Sequence, residues 1–363
     1  MPRLVVSSIV VTSVVAAVAT MTLAGCSSSA PAGDGSSTAS SDGPRTVRVV
    51  THDSFALSDT VVSTFEESSG IDVEFTPAGD AGEMVNRAVL SAGNPEADVL
   101  FGIDTTLLSR AVDAGVFDPY VSSADALRPE LRSAGLDVVT PVDDGDVCVN
   151  IDDGWFAEKG IAPPQTLEDL TDPQYRGLLV VQNPATSSPG LAFLLSTIER
   201  YGDAWPDYWT RLKDNDVAVV NGWSEAYLSE FTAGGGGGDR PLVVSYSTSP
   251  PAEIVYAEEP KPERPSTSVM ADGCYRQVEF AGVLRGAQDP EAARAVVDWL
   301  VSPEVQADIP LSMFVFPARD GVALPEVFER FVVRPVDPAE LPAADIAERR
   351  DTWIDEWTQI VLR

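Results

Sequence analysis

The chain has 363 residues, 24 of them Lys or Arg and 56 Asp or Glu, for a formal charge of −32 at neutral pH. A surface that acidic cannot neutralise a phosphate backbone, so nucleic acid is excluded as a partner. One histidine and three cysteines are too few for HExxH or four-cysteine zinc sites and for most histidine-based triads, which leaves binding or carboxylate chemistry.

In chain order, Arg3 precedes an apolar run over 4–24 that ends in Leu23-Ala24-Gly25-Cys26. Residues 1–25 read as an export signal with a lipobox, cut before Cys26, whose thiol then carries a lipid anchor on the extracytoplasmic face of the cell membrane. An uncleaved membrane anchor is the other reading of such a run. Residues 26–43 are rich in Ser, Ala, Gly, Thr and Asp, a composition that cannot bury enough surface to fold, and are read as a flexible tether.

From 44 onward strands and helices alternate. Strands are predicted at 46–50, 71–75 and 98–101, with helices between them carrying Val61, Val62 and Phe65, then Met84, Val85, Ala88 and Val89. That grammar implies a mostly parallel sheet with helices on both faces, and ligands bind beyond the carboxyl ends of such strands. His52, Asp53, Ser54, Asp80 and Asp104 thus fall on one rim. The same grammar returns at 178–182, 217–220 and 242–245, whose ends deliver Ser187, Ser188, Trp223, Ser224 and Tyr246 to a second rim. Ser188 is placed as a helix cap and Pro189 in the first helical turn. The five glycines at 234–238 read as a mobile surface loop, with no following Lys and Ser/Thr to make a phosphate-binding loop.

A strand at 275–284, a helix at 290–300 and a final helix at 342–362 complete the body. Trp353 and Trp357, one turn apart in the last helix, are read as core packing. The expected class is α/β, a two-lobed clamshell of the type II binding-protein kind with its ligand cleft between lobes. One lobe comprises 44–142 plus 276–363 and the other 143–275. Cys148 and Cys274 fall at the two crossovers, and in an exported chain pairing is the default, the alternative being two buried thiols.

The two rims differ in charge preference. Asp80, Asp104 and His52 favour a cation, whereas serine hydroxyls and N–H groups at helix starts favour an anion. By residue type alone capping is the better account of Ser187, Ser188 and Ser224, and a solvated or capping carboxylate accounts as well for either aspartate. Trp223 and Tyr246, large aromatics in polar turns, offer flat walls for a ring or a cation.

These residues resemble the thiamine-binding periplasmic proteins of ABC importers, over essentially the whole body. The resemblance is carried by Thr51-His52-Asp53-Ser54-Phe55, Asp98-Val99-Leu100-Phe101-Gly102-Ile103-Asp104, Asn183-Pro184-Ala185-Thr186-Ser187-Ser188-Pro189-Gly190, Gly222-Trp223-Ser224-Glu225-Ala226-Tyr227, Ser245-Tyr246-Ser247-Thr248-Ser249-Pro250 and Arg350-Asp351-Thr352-Trp353. It implies a receptor, not an enzyme, that holds thiamine or its mono- or diphosphate between the lobes. Asp80 would then lie near the cationic rings, Trp223 and Tyr246 beside them, and Ser187 at a phosphate. The implied partners are the ligand, a permease with ATPase subunits and the membrane through the lipid anchor; the protein is expected to be a monomer without cofactor or metal. His52 and Phe314 stand where the family carries a tyrosine and a tryptophan, and Ala252 where it carries a further tyrosine. The rival readings are a ferric-ion or other small-solute receptor of the same fold and a secreted hydrolase using Asp80 and Asp104.

Overall fold

The computed structural model describes residues 45–132 and 137–363; the signal segment, Cys26 and the tether lie outside the described residues. In β1 (Arg45–Thr51), buried Val47 and Val49 alternate with exposed Thr46 and Arg48, the period of a half-buried strand. Helix α1 (Asp59–Ser69) ends at Gly70, whose φ of 68° few residues but glycine adopt, and returns the chain to β2 (Ile71–Pro77). Helix α2 (Ala81–Leu90) then leads to β3 (Val99–Asp104) and α3 (Leu108–Asp113).

The long strand β4 (Thr140–Asp152) and helix α4 (Asp153–Lys159) enter the second set of elements. This set holds β5 (Leu179–Gln182), α5 (Ser188–Tyr201), α6 (Trp205–Asp214), β6 (Ala218–Val220), the single turn α7 (Trp223–Glu225), β7 (Leu242–Tyr246) and the short α8 (Ala252–Val255). The chain returns through β8 (Thr267–Val283), followed by α9 (Pro290–Leu300), α10 (Pro303–Ser312), β9 (Phe316–Pro317), α11 (Glu326–Phe331) and α12 (Ala343–Val361).

Among the described residues these strands form one sheet, ordered β2-β1-β3-β8-β4-β7-β5-β6, with β9 added to β4. A mostly parallel sheet was the expectation, and it holds only on the flanks. There β1 pairs in parallel with β2 and β3, and β5 with β6 and β7. The centre is antiparallel, where β8 pairs with both β3 and β4, and β4 with β7. Along this central ribbon the neighbours change hands. β3 borders β8 only from Val283 to Glu279, and β7 borders β4 only from Val147 to Ile151.

At the handover β8 makes an excursion, since Val147 faces Tyr275 while Val149 faces Met270. Cys148 and Cys274 are joined by a disulfide at that point. Trp353 and Trp357 are buried in the core, and Trp357 meets Trp209 edge-on at 5.4 Å between ring centres. No helix among the described residues is long and apolar enough to cross a membrane.

Candidate functional site

A cavity of about 450 Å³ opens where the ends of β1 and β7 meet the middle of β8 and the segment after α10. That volume lies within the ~300–1,000 Å³ usual for small-molecule sites. Of the residues singled out in the sequence, His52, Trp223, Ser224, Tyr246 and Phe314 line it. Asp80, Asp104, Ser187 and Ser188 do not; they stand buried behind its walls.

Aromatic rings form the walls. Trp223 stacks on Tyr227 with ring centres 5.0 Å apart and planes 13° from parallel, as residues one turn apart can. The Trp223 indole N–H donates to Ser245 Oγ at 2.8 Å, fixing the ring. Across the cavity Phe314 contacts Tyr256 at 5.6 Å, and it is held at φ 55°, a left-handed conformation that costs energy for so bulky a side chain. The Tyr246 hydroxyl donates to Gln277 Oε1 at 3.1 Å, and Gln277 Nε2 in turn donates to Asp104 at 2.6 Å. Asp104 also accepts from the Thr106 hydroxyl, and burial, against these hydrogen bonds, pushes its carboxyl up to about 6. Asp104 therefore reaches the cavity only through Gln277 and Tyr246.

The cavity floor is acidic. Glu279 lines it, its side chain 10% exposed, with Oε2 3.7 Å from His52 Nε2. Behind Glu279 lies Asp143, fully buried, with neither carboxylate oxygen receiving a hydrogen bond. Burial first, then the neighbouring Glu279 charge, raise Asp143 well above the usual carboxylate range. His52 fits its place because Gly102, at φ 94°, has no Cβ; one there would sit 2.3 Å from the imidazole Cδ2. The Ser54 hydroxyl meets His52 Nδ1 at 2.9 Å, and Nε2 has no hydrogen-bond partner.

Asp80 caps α2, accepting from the N–H of Ala81 at 2.6 Å, and also accepts from the N–H of Trp223 at 2.8 Å and of Ser188 at 3.3 Å. The helix starts that the sequence offered to an anion are thus filled by a carboxylate of the protein itself. Burial raises the Asp80 carboxyl despite these donors. The cap of α5 is Ser187, which accepts from the Gly190 N–H, and not Ser188, one residue later. The glycine run also differs from the expectation of a free loop. It lies against the turn at 226–230, where a Cβ on Gly234 would stand 1.7 Å from the Tyr227 carbonyl oxygen, and Gly234 and Gly235 border the cavity.

Sequence reasoning missed Glu279, Tyr227 and Tyr256. For Tyr227 the signal was present, because an aromatic four residues after Trp223 shares its helical face. Glu279 sits mid-strand between Val278 and Phe280, where attention to strand ends does not reach. Among the described residues no group of three or more His, Cys, Asp or Glu side chains is arranged to hold a metal ion.

Residues 60–335 match the family model described as bacterial extracellular solute-binding protein. The thiamine-binding periplasmic protein of Escherichia coli K12 is 33% identical over 324 residues, spanning 87% of this chain and 93% of that protein. Its counterpart from Brucella suis is 30% identical over 329 residues, spanning 88% and 92%. A solved periplasmic thiamin binding protein superposes with a TM-score of 0.77 at 30% identity, covering 88% of this chain and 96% of its own. The ferric binding protein of Campylobacter jejuni, at 18% identity and a TM-score of 0.69 over 86% and 99%, shares the fold alone.

Proposed function

The chain belongs to the bacterial extracellular solute-binding proteins, among the thiamine-binding periplasmic proteins, and from that membership we propose that it captures thiamine and delivers it unaltered to an ABC importer. The observation that carries the reading is the cavity itself, which sets aromatic faces at Trp223, Tyr227, Tyr246 and Phe314 around a floor bearing the Glu279 carboxylate. A thiazolium is a flat ring with a fixed positive charge, the chemistry that aromatic faces and a carboxylate bind. Among the described residues no lysine or arginine lines the cavity to oppose it.

The lobes are taken as 44–142 plus 276–363 and 143–275, hinged on the β4–β8 ribbon, with the Cys148–Cys274 bond restricting the hinge. Closure about the ligand would create the surface that a permease with its ATPase subunits recognises. The monomer is held at the extracytoplasmic membrane face through the lipid on Cys26. Calorimetry with thiamine, its monophosphate and its diphosphate tests the reading, together with quenching of tryptophan fluorescence. A one-to-one complex with at least one of the three is expected, weakened at least tenfold by Trp223→Ala. Absence of heat and of quenching with all three would reject it.

A further inference from the structure

Of the acids placed on the rims by sequence, Asp80 is satisfied by three backbone N–H groups and Asp104 by Thr106 and Gln277. Asp53 and Glu253 also border the cavity, but Asp53 is exposed to water and Glu253 is occupied by Ser266 and Thr267. Glu279 is the buried carboxylate facing the cavity whose nearest charged partner there, His52, stops 3.7 Å away, too far for a hydrogen bond. Resting on the thiamine reading, we propose that Glu279 is the counter-charge of the bound cation and that protonated His52 competes for it, so that capture of the cation expels the proton.

The geometry serves both states. With His52 neutral, the Ser54 hydroxyl donates to bare Nδ1, and Glu279 is left to an incoming positive charge. With His52 protonated, Ser54 accepts from Nδ1–H, Nε2–H⁺ faces Glu279, and a second cation meets a neutralised floor. The charged groups around the ring are all acidic: Glu279 on β8, Asp80 before α2 and Asp53 after β1, with Asp143 on β4 and Asp104 on β3 behind Glu279. Burial opposes the imidazolium, yet these acids outweigh it and the net displacement of His52 is upward. When the cation binds, the proton leaves Nδ1 for solvent, at most one per ligand, and Nε2 keeps its hydrogen.

His52 is the single histidine, so its ring resonances report this site alone in NMR of the intact protein. Saturating thiamine is expected to lower its pKa by at least one pH unit, and Glu279→Gln to lower it similarly in the free protein. Thiamine affinity should fall at least tenfold between pH 8 and pH 5.5, and that dependence should shrink below threefold in His52→Gln. Wild type should prefer thiamine over an analogue with an uncharged thiophene ring by at least tenfold, and Glu279→Gln should narrow that gap. Wild type that binds thiamine with its preference and its His52 titration unchanged by Glu279→Gln overturns the inference and leaves the thiamine reading standing. No thiamine binding by wild type removes both.

Discussion

At the scale of single residues, polar side chains are buried where the cavity needs orientation rather than where stability needs them. Asp104 is wholly buried and its carboxyl is pushed up to about 6, so between roughly pH 4 and pH 6 the folded protein keeps a proton that the unfolded chain has lost. Its contribution therefore destabilises as pH rises through that window. The gap of about 2 pH units corresponds to about 3 kcal/mol at neutral pH. Asp104→Asn, which keeps the volume and removes the charge, should flatten this part of the profile. Urea unfolding at pH 4.5 and pH 7.5 reads the effect, and an undiminished difference between the two in the variant would count against it. The partners that raise this cost also explain its retention: Asp104 holds Gln277, and Gln277 holds the Tyr246 hydroxyl at the cavity wall.

At the scale of elements, β4 and β8 decide the architecture, and β4 was the least legible strand. Its middle reads Asp143-Asp144-Gly145-Asp146, which by propensity is a turn. In the fold Asp144 is held by Arg128 and Arg334, and Asp146 by Arg276 at 2.5 Å, partners from distant segments that no local pattern announces. The flanking elements were legible for the opposite reason, since β1, β2 and α12 bury one regular face each, β5 is a short apolar run buried throughout, and α1 carries its own stop at Gly70. Likewise the site residues at strand ends, His52, Trp223 and Tyr246, followed from topology, whereas Glu279 required the strand pairing to place it. The disulfide ties the ribbon together at its excursion, closing a loop of 126 positions. In the chain-entropy picture Cys148→Ser with Cys274→Ser should lower stability by roughly 2–5 kcal/mol, read as the shift in the urea midpoint. A midpoint within error of wild type would mean that the pair does not constrain the unfolded chain.

At the scale of the whole molecule, Asp80 joins segments far apart in the chain: its carboxylate holds the starts of α5 and α7, and beside it the Glu83 N–H donates to the Thr186 carbonyl at 3.1 Å. On the proposed division into lobes these contacts bridge the cleft, so opening the clamshell must break them and return the carboxylate to water. Asp80 then acts on affinity through closure and not by touching the ligand. Asp80→Ala should weaken thiamine binding at least tenfold and enlarge the radius of gyration of the ligand-free protein in small-angle scattering. The same substitution frees the N–H groups of Ser188 and Trp223, a place suited to phosphate. Thiamine diphosphate should for that reason lose less affinity than thiamine does, and calorimetry of the variant with both compounds measures the ratio. Equal losses would show that the two helix starts stay closed to the ligand even when Asp80 is gone, and an unchanged thiamine affinity would show that the bridge does not govern closure.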